Sequence, residues 1–142
     1  MATDIYQLVY VSRCVIEGDE KEYRAQIDAI LKASRENNQR DEITGALLCN
    51  RRYFAQVLEG GQDVVQDAYE RIQCDERHEQ TTVLRFRSVP RRDFGEWTMA
   101  YEGHDSEALE SFDRLTQESR LKLEELDGLD LVSLLQAHLQ VA

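Results

Sequence analysis

A tyrosine and a glutamine lie in two segments of the sequence that alternate as β-strands do. Tyr10 lies in the segment 5–12, and Gln56 lies in the second arm of a hairpin over 43–60. Because side chains alternate with a period of two along a strand, Gln56 shares its face with the apolar Phe54. A phenol and an amide are costly to bury on such a surface unless a hydrogen-bonding partner lies between them. The pair therefore predicts a polar partner against this face.

A second set of candidate residues follows a helix predicted from Glu20 to about Asn38, for which Asp19 can provide the N-cap. At 100° per residue, one stripe of this helix is apolar at its start and polar at its carboxyl end. The stripe contains Tyr23, Ile27, Ile30, Leu31, Ser34, Asn37 and Asn38. The change in polarity has two interpretations. Either the asparagines only cap a fraying helix end, or a ligand contacts both parts of the stripe.

Length, charge and cysteine content limit the class of protein. The 142 residues suit one domain, and the formal net charge of −11 argues against nucleic acid or an anionic membrane as partner. The three cysteines are odd in number and lack ligand-like spacing, so we expect no metal and no disulfide framework. No signal peptide is recognised, and no apolar run approaches the ~18 residues that a membrane span needs. These features predict a soluble, acidic, cytoplasmic protein.

The order of periodic segments predicts the fold class. Strands are expected at 4–12, 43–49, 53–59, 80–89 and 96–101, and helices at 20–38 and 62–74. This order is that of a ferredoxin-like split βαβ plan with one added strand. We therefore predict an α+β fold, in which a mixed five-stranded sheet carries two helices on one face.

The other face of the predicted sheet also needs a cover, because apolar residues of the first and third strands point to it. Two further helical segments, at 105–125 and 129–140, offer that cover. They either fold back on the sheet or leave part of this face for another subunit. The chain is accordingly divided into a domain over 1–103 and a C-terminal helical extension over 104–142.

Six short motifs, taken together, resemble the BLUF family of blue-light sensors that bind FAD. The resemblance runs from about residue 5 to residue 103, and it rests on the order and spacing of the motifs. They are Leu8-Val9-Tyr10-Val11-Ser12, Asn37-Asn38, Ile43-Thr44-Gly45, Phe54-Ala55-Gln56-Val57-Leu58-Glu59-Gly60, Asp75-Glu76-Arg77-His78 and Trp97-Thr98-Met99.

The resemblance implies a flavin between the two helices of the domain. Ile30 and Ile72 would form its apolar walls, Asn38 would pair with the O4/N3 edge of the ring, and Arg77 would donate toward O2. The full set of cofactor-binding residues that it implies is Tyr10, Ile30, Ser34, Asn37, Asn38, Gln56, Arg71, Ile72, Asp75, Arg77 and His78. The cofactor would be FAD, with FMN or riboflavin as alternatives.

The resemblance also implies a photoswitch rather than an enzyme. Tyr10 would give an electron and a proton to the excited flavin, and both would return after Gln56 had rotated or tautomerised. The last strand, in which Trp97 and Met99 are expected on one face, would relay the change. The photoactive residues would then be Tyr10, Ser12, Gln56, Trp97 and Met99.

The output implied for a short member of this family is a protein contact, through self-association and a separate downstream signalling protein. Two other classes of function stay open from the residues alone. A hydrolase of the acylphosphatase kind is disfavoured, because the loop 12–19 has only Gly18 and lacks a backbone-amide nest for phosphate. A regulatory small-molecule-binding or assembly module without photochemistry is the main alternative.

Overall fold

The computed structural model describes residues 4–95, 97–102, 110, 112–114 and 127–139. Its elements confirm the predicted α+β class and the predicted order of strands and helices. In chain order they are β1 (Ile5–Cys14), α1 (Glu20–Asp41), β2 (Thr44–Cys49), β3 (Tyr53–Gly60), α2 (Gln62–Gln73), β4 (His78–Val89), β5 (Ala100–Glu102) and α3 (Gly128–Leu139).

The strands form one sheet in the order β4-β1-β3-β2-β5. The strands β4, β1, β3 and β2 pair antiparallel with one another and make up the body of the sheet. At one edge, β5 pairs in parallel with β2. In the β1–β3 register, Tyr10 is opposite Gln56 and Gln7 is opposite Glu59. The two candidate residues named first are therefore direct cross-strand neighbours, on one face of the sheet.

The predicted last strand over 96–101 requires a correction, because, among the described residues 97–102, strand conformation is confined to the three residues of β5. Just before β5, backbone carbonyls of the chain accept hydrogen bonds from side chains of α1. Asn38 donates to the Thr98 carbonyl at 2.7 Å, and Arg35 donates to the Met99 carbonyl at 3.1 Å. These bonds occupy acceptors that a regular strand would offer to its neighbour.

Each face of the sheet has its own apolar core. Helices α1 and α2 cover the face that carries Tyr10, and α3 covers the other face. On that second face the buried side chains of α3 are Leu131, Val132 and Leu135, which join Val9, Val11, Ala55 and Val57 of the sheet. α3 thus packs on the sheet, which is one of the two placements that the sequence leaves open for the C-terminal chain. The helix predicted over 105–125 lies mostly outside the described residues.

Local sequence explains how α1 and β2 are placed. Asp19 accepts a hydrogen bond from the Glu22 amide at 2.9 Å, which is the predicted N-cap, and α1 ends at Glu42 with a positive φ of 56°. At Gly45 the neighbouring strand approaches closely, since a Cβ there would lie 1.9 Å from the Val57 carbonyl oxygen. Glycine is therefore required at this point of the hairpin.

No helix within the described part of the chain is both long and apolar enough to cross a membrane. Nor do the described residues contain a group of three histidine, cysteine or acidic side chains that could hold a metal ion.

Candidate functional site

A cleft with a volume of about 150 Å³ opens between α1, α2 and the sheet. Ten of the predicted binding residues line it, namely Tyr10, Ile30, Ser34, Asn37, Gln56, Arg71, Ile72, Asp75, Arg77 and His78. Residues that lie far apart in the sequence thus meet around one space. The cleft is the candidate functional site.

The floor of the cleft holds a chain of three side chains that are joined by hydrogen bonds. The Tyr10 hydroxyl donates to Oε1 of Gln56, and Nε2 of Gln56 donates to Sδ of Met99 at 3.5 Å. All three side chains are buried. A thioether is a weak acceptor, so one end of the amide is held firmly and the other end is held weakly.

Burial also determines the protonation state of the tyrosine. Loss of contact with water raises the pKa of Tyr10 far above its ordinary value, and the nearby Tyr69 and Asp75 act in the same direction. The rings of Tyr10 and Tyr69 lie 5.4 Å apart. Tyr10 is therefore a neutral hydrogen-bond donor at physiological pH.

The amphipathic stripe of α1 divides into two rows. Tyr23, Ile27, Leu31 and Asn38 are buried against the sheet, whereas Ile30, Ser34 and Asn37 face the cleft. Asn38 was predicted to bind the ligand directly; the structure buries its side chain, which donates to the Thr98 carbonyl. Asn38 therefore ties α1 to the segment that carries Met99.

Ser12 and His78 form a second polar group beside the cleft. His78 Nε2 lies 2.7 Å from the Ile72 carbonyl, and Nδ1 lies 2.7 Å from the Ser12 hydroxyl. Because a carbonyl can only accept, Nε2 carries the proton, and in the neutral ring Nδ1 accepts from Ser12. His78 thereby links the end of α2 to β1 and packs edge-on against Tyr10 and Phe54.

The turn before β4 places an ion pair on the rim of the cleft. Arg77 donates to Asp75 from Nη2 at 2.6 Å and from Nε at 2.8 Å. These hydrogen bonds lower the pKa of Asp75 and raise that of Arg77. Arg71, which is more exposed, lies 3.9 Å from Asp41 of α1. Two guanidinium groups therefore stand at the open side of the cleft.

The predicted pairing of Trp97 and Met99 on one strand face is wrong. Met99 is 2% exposed and belongs to the core under α1 and α2, whereas Trp97 packs on the α3 side, with its ring 6.4 Å from that of Phe94. The period of two does not apply because residues 97–99 are not a strand. Met99 is consequently the residue of this segment that contacts Gln56.

Three lining residues were not among the predicted site residues: Ala33, Leu47 and Phe54. Two of them could have been found from periodicity. Phe54 shares a strand face with Gln56, and Leu47 is opposite Gln56 in the β2–β3 register. Ala33 carries no sequence signal beyond its position on α1 between Ile30 and Ser34.

Comparison with known proteins identifies the class. A family model described as BLUF, sensors of blue-light using FAD, matches residues 5–100. The chain therefore belongs to the BLUF family. Photoactivated adenylate cyclase subunit beta of Euglena gracilis is 32% identical over 98 residues, which are 68% of this chain and 11% of that protein. The chain spans only 9% to 11% of the curated relatives that it matches.

Solved structures agree with this assignment over nearly the whole chain. BlrB, a BLUF protein in its dark state, is 27% identical with a TM-score of 0.78, and the match covers 96% of this chain and 98% of that one. Klebsiella pneumoniae BlrP1, solved with FMN and cyclic diGMP, is 25% identical with a TM-score of 0.68 over 94% of this chain and 34% of that one. BLUF domains bind flavin.

The cleft fits a flavin. Its floor and sides are largely apolar, through Ile30, Leu47, Phe54 and Ile72, which suits a flat aromatic ring. The rest of its lining includes the amides of Asn37 and Gln56, the hydroxyls of Tyr10 and Ser34, and the guanidinium groups of Arg71 and Arg77. The buried amide of Gln56 adds an observation of its own. One N–H of this amide donates to the sulfur of Met99, which is a weak acceptor. Because Gln56 also faces the cleft, a ligand there could offer the amide a stronger acceptor.

Proposed function

We propose that this protein is a blue-light photoreceptor in which Tyr10 and Gln56 form the switch. The observation that carries the proposal is the chain of hydrogen bonds from Tyr10 to Gln56 to Met99 on the floor of the cleft. When bound, the flavin supplies absorption of blue light and an excited state that accepts an electron. Ile30 and Ile72 would hold its ring, and Arg77 would donate to its polar edge.

Tyr10 is placed to provide both the electron and a proton. Because burial raises the pKa of Tyr10, its hydroxyl keeps the proton until the phenol is oxidised. The proton then leaves from Oη, where Oε1 of Gln56 already accepts the hydrogen bond. Electron and proton transfer are therefore coupled through one side chain. Both return to Tyr10 once Gln56 has rearranged, so the switch involves no net oxidation or reduction.

Gln56 is suited to hold two states because its two ends can exchange at little cost. Rotation of the amide by half a turn replaces the bond that Oε1 accepts from Tyr10 with one that Nε2 can donate to the tyrosine oxygen, and it gives up the weak contact with the Met99 sulfur. In the rotated state a different end of the amide faces the ligand. A new hydrogen bond to the flavin would shift its absorption to the red without a covalent adduct.

The output that we propose is a change in protein contacts, and the chain itself acts as a sensor rather than an enzyme. The relay would pass through the segment of Met99 and Trp97 and then through the C-terminal helices to a separate signalling partner or a second copy. Two apolar side chains, Val83 on β4 and Leu129 on α3, are exposed among the described residues and would suit such contacts.

The test is the visible absorption spectrum of the full chain loaded with FAD, in the dark and under blue light. The wild type should show a small red shift that reverses in the dark. Gln56→Leu and Tyr10→Phe should bind flavin and lose the shift. The matched control is Gln66→Leu, which makes the same change on the exposed side of α2 and should behave as the wild type.

Two outcomes would contradict the proposal. A bound flavin without any shift would mean that the cofactor serves a purpose other than photoswitching. A protein that takes up no flavin would leave the alternative of a binding or assembly module without photochemistry.

A further inference from the structure

A buried carboxylate lies on the opposite face of the sheet from the switch, and the proposed photochemistry does not use it. Glu59 is completely inaccessible to solvent and stands three residues after Gln56 on β3. Its side chain points to the α3 face, since it lies opposite Gln7 there. A fully buried charge of this kind is uncommon unless each of its oxygens is bonded.

Glu59 accepts four hydrogen bonds from three parts of the chain. Its Oε1 accepts from the Phe94 amide at 2.9 Å and from Thr44 Oγ1 at 3.2 Å. Its Oε2 accepts from the Asp93 amide at 2.7 Å and from Gln7 Nε2 at 2.9 Å. Two of the four donors are therefore backbone amides of the turn that precedes Trp97.

This turn is connected to the switch at its other end. The Phe94 carbonyl accepts from the Trp97 amide at 3.1 Å, and two residues later Met99 contacts Gln56. Arg92 strengthens the attachment, because it donates to the Glu59 carbonyl at 3.0 Å. The bond between Trp97 and Phe94 thus connects the part of the turn that is held by the carboxylate on one face with the segment 97–99 that reaches the switch on the other.

The same turn also reaches α3. Asp93 accepts from Gln136 Nε2 of α3 at 3.1 Å and from Gln7 Nε2 at 2.8 Å. Gln7 is itself completely buried and accepts from Arg85 at 3.1 Å. A single hydrogen-bonded group, made of Gln7, Glu59, Asp93 and Gln136, therefore joins the sheet, the turn and the C-terminal helix.

We propose that Glu59 is a positioning residue that fixes the turn at Asp93, so that a displacement of Met99 reaches α3 through the bond between Asp93 and Gln136. The inference rests on the proposed photoswitch and names its exit route. Because Glu59 holds the backbone amides of Asp93 and Phe94, the turn cannot unfold when Met99 moves. It tilts as a unit about this attachment, and the Asp93 side chain shifts relative to Gln136. The altered contact of Asp93 with Gln136 then changes how α3 is held.

The experiment compares amide hydrogen exchange of residues 128–139 in the dark and under blue light, in the full chain loaded with FAD. In the wild type, light should change the exchange of these amides. Gln136→Leu removes the last bond of the route while leaving the cleft intact, so the red shift should persist and the light-dependent difference in α3 should be lost. Ser133→Ala, on the exposed side of the same helix, should keep that difference.

A role limited to packing predicts a different pattern. Gln136→Leu would then raise the exchange of α3 equally in the dark and in the light, with the light-dependent difference kept at the wild-type value, and this result would overturn the inference. Unchanged exchange in an illuminated wild type that shows its red shift would overturn the inference alone. A wild type without a red shift would overturn the photoswitch and the exit route together.

Glu59→Gln tests the positioning residue itself. Whichever end of the new amide carries the NH₂ group, it meets a backbone amide donor of Asp93 or Phe94. The turn should loosen, and the light-dependent difference in α3 should shrink while the red shift is retained. If the variant transmits light to α3 as the wild type does, Glu59 does not position the turn for signalling.

Discussion

Gln56 and Glu59 lie three residues apart on β3, and both side chains are buried, but their hydrogen bonding differs. On the cleft face, Gln56 has one good partner in Tyr10 and one weak partner in Met99. On the α3 face, Glu59 accepts four hydrogen bonds, two of which come from backbone amides that cannot reverse their role. In the proposed switch the first arrangement gives way to a second orientation of the amide, whereas the carboxylate has one arrangement that serves all four donors.

The chemistry of the two side chains explains the difference. An amide carries a donor and an acceptor that can exchange places, whereas an ionised carboxylate presents acceptors only. On β3 the side chain that would change its hydrogen bonds, the amide of Gln56, points toward the cleft. The side chain that would keep its hydrogen bonds, the carboxylate of Glu59, points away from it. We call the cleft side of the sheet, which carries Gln56, the movable face, and the α3 side, which carries Glu59, the fixed face.

The largest effect is expected when the same apolar residue replaces each of the two side chains. Glu59→Leu leaves several buried donors without an acceptor and should lower the free energy of unfolding by about 3 kcal/mol or more. Gln56→Leu leaves one tyrosine hydroxyl without its acceptor and should cost about 1–2 kcal/mol. Urea denaturation of both variants measures the difference directly.

A leucine substitution of an exposed glutamate serves as the control for Glu59→Leu and Gln56→Leu. Glu79 on β4 is about half exposed and makes only a long ion pair with Arg13, so Glu79→Leu should change the unfolding free energy by about 0.5 kcal/mol or less. If Glu59→Leu and Gln56→Leu lowered the free energy of unfolding equally, the distinction between a fixed and a movable face would be wrong.

A smaller effect is expected on the rate of dark recovery when the weak partner of Gln56 on the movable face is replaced. Met99→Leu keeps the volume of the side chain and removes the sulfur acceptor that favours the dark orientation of Gln56. A weak bond of about 0.5–1 kcal/mol corresponds to a change of roughly two- to fivefold in a rate. Dark recovery, followed by the decay of the red shift, should therefore slow by that factor.

The control for Met99→Leu lies on the fixed face. Leu48→Met exchanges the same two residue types in the core under α3, away from Gln56. Its recovery rate should equal that of the wild type. A Met99→Leu variant that recovers at the wild-type rate would show that the sulfur does not favour either orientation.

Periodicity predicted the movable face well. The strand alternation placed Tyr10 and Gln56 on one face, and the helical stripe brought Ile30, Ser34 and Asn37 to the cleft. Local rules suffice for these residues because each lies in a regular element whose period fixes its direction. The same rules failed for Trp97 and Met99, which lie in an irregular segment where backbone contacts set the direction of each side chain.

The hydrogen-bonded group on the fixed face was not predicted, although part of its signal is present in the sequence. Gln7 and Glu59 interrupt the apolar face of β1 and β3, and buried polar residues at such positions imply partners for one another. The partners supplied by Asp93 and Gln136 could not be inferred in this way. One lies in a turn and the other in a helix, and only the tertiary fold brings them to the sheet.

The smallest effect is expected at the rim of the cleft, where Asp75 and Arg77 are paired within reach of solvent. The hydrogen bonds from Arg77 lower the pKa of Asp75 in the folded state. The stabilisation is therefore complete above the ordinary aspartate pKa of about 4 and is lost as the pH falls through the lowered folded value. Since both side chains are about one-third exposed, water and salt weaken the pair, and we expect about 0.5 kcal/mol.

Asp75→Asn should accordingly be less stable than the wild type at about pH 7, and the gap should close at about pH 2 and in about 1 M salt. Paired urea denaturation curves under the three conditions measure it. The buried Glu59 group provides the contrast, because its hydrogen bonds are shielded from solvent and the loss in Glu59→Leu at about pH 7 should change little on addition of salt. If salt reduced both losses to the same extent, the carboxylate on the α3 face would be accessible to ions and could not serve as the fixed point of the sheet.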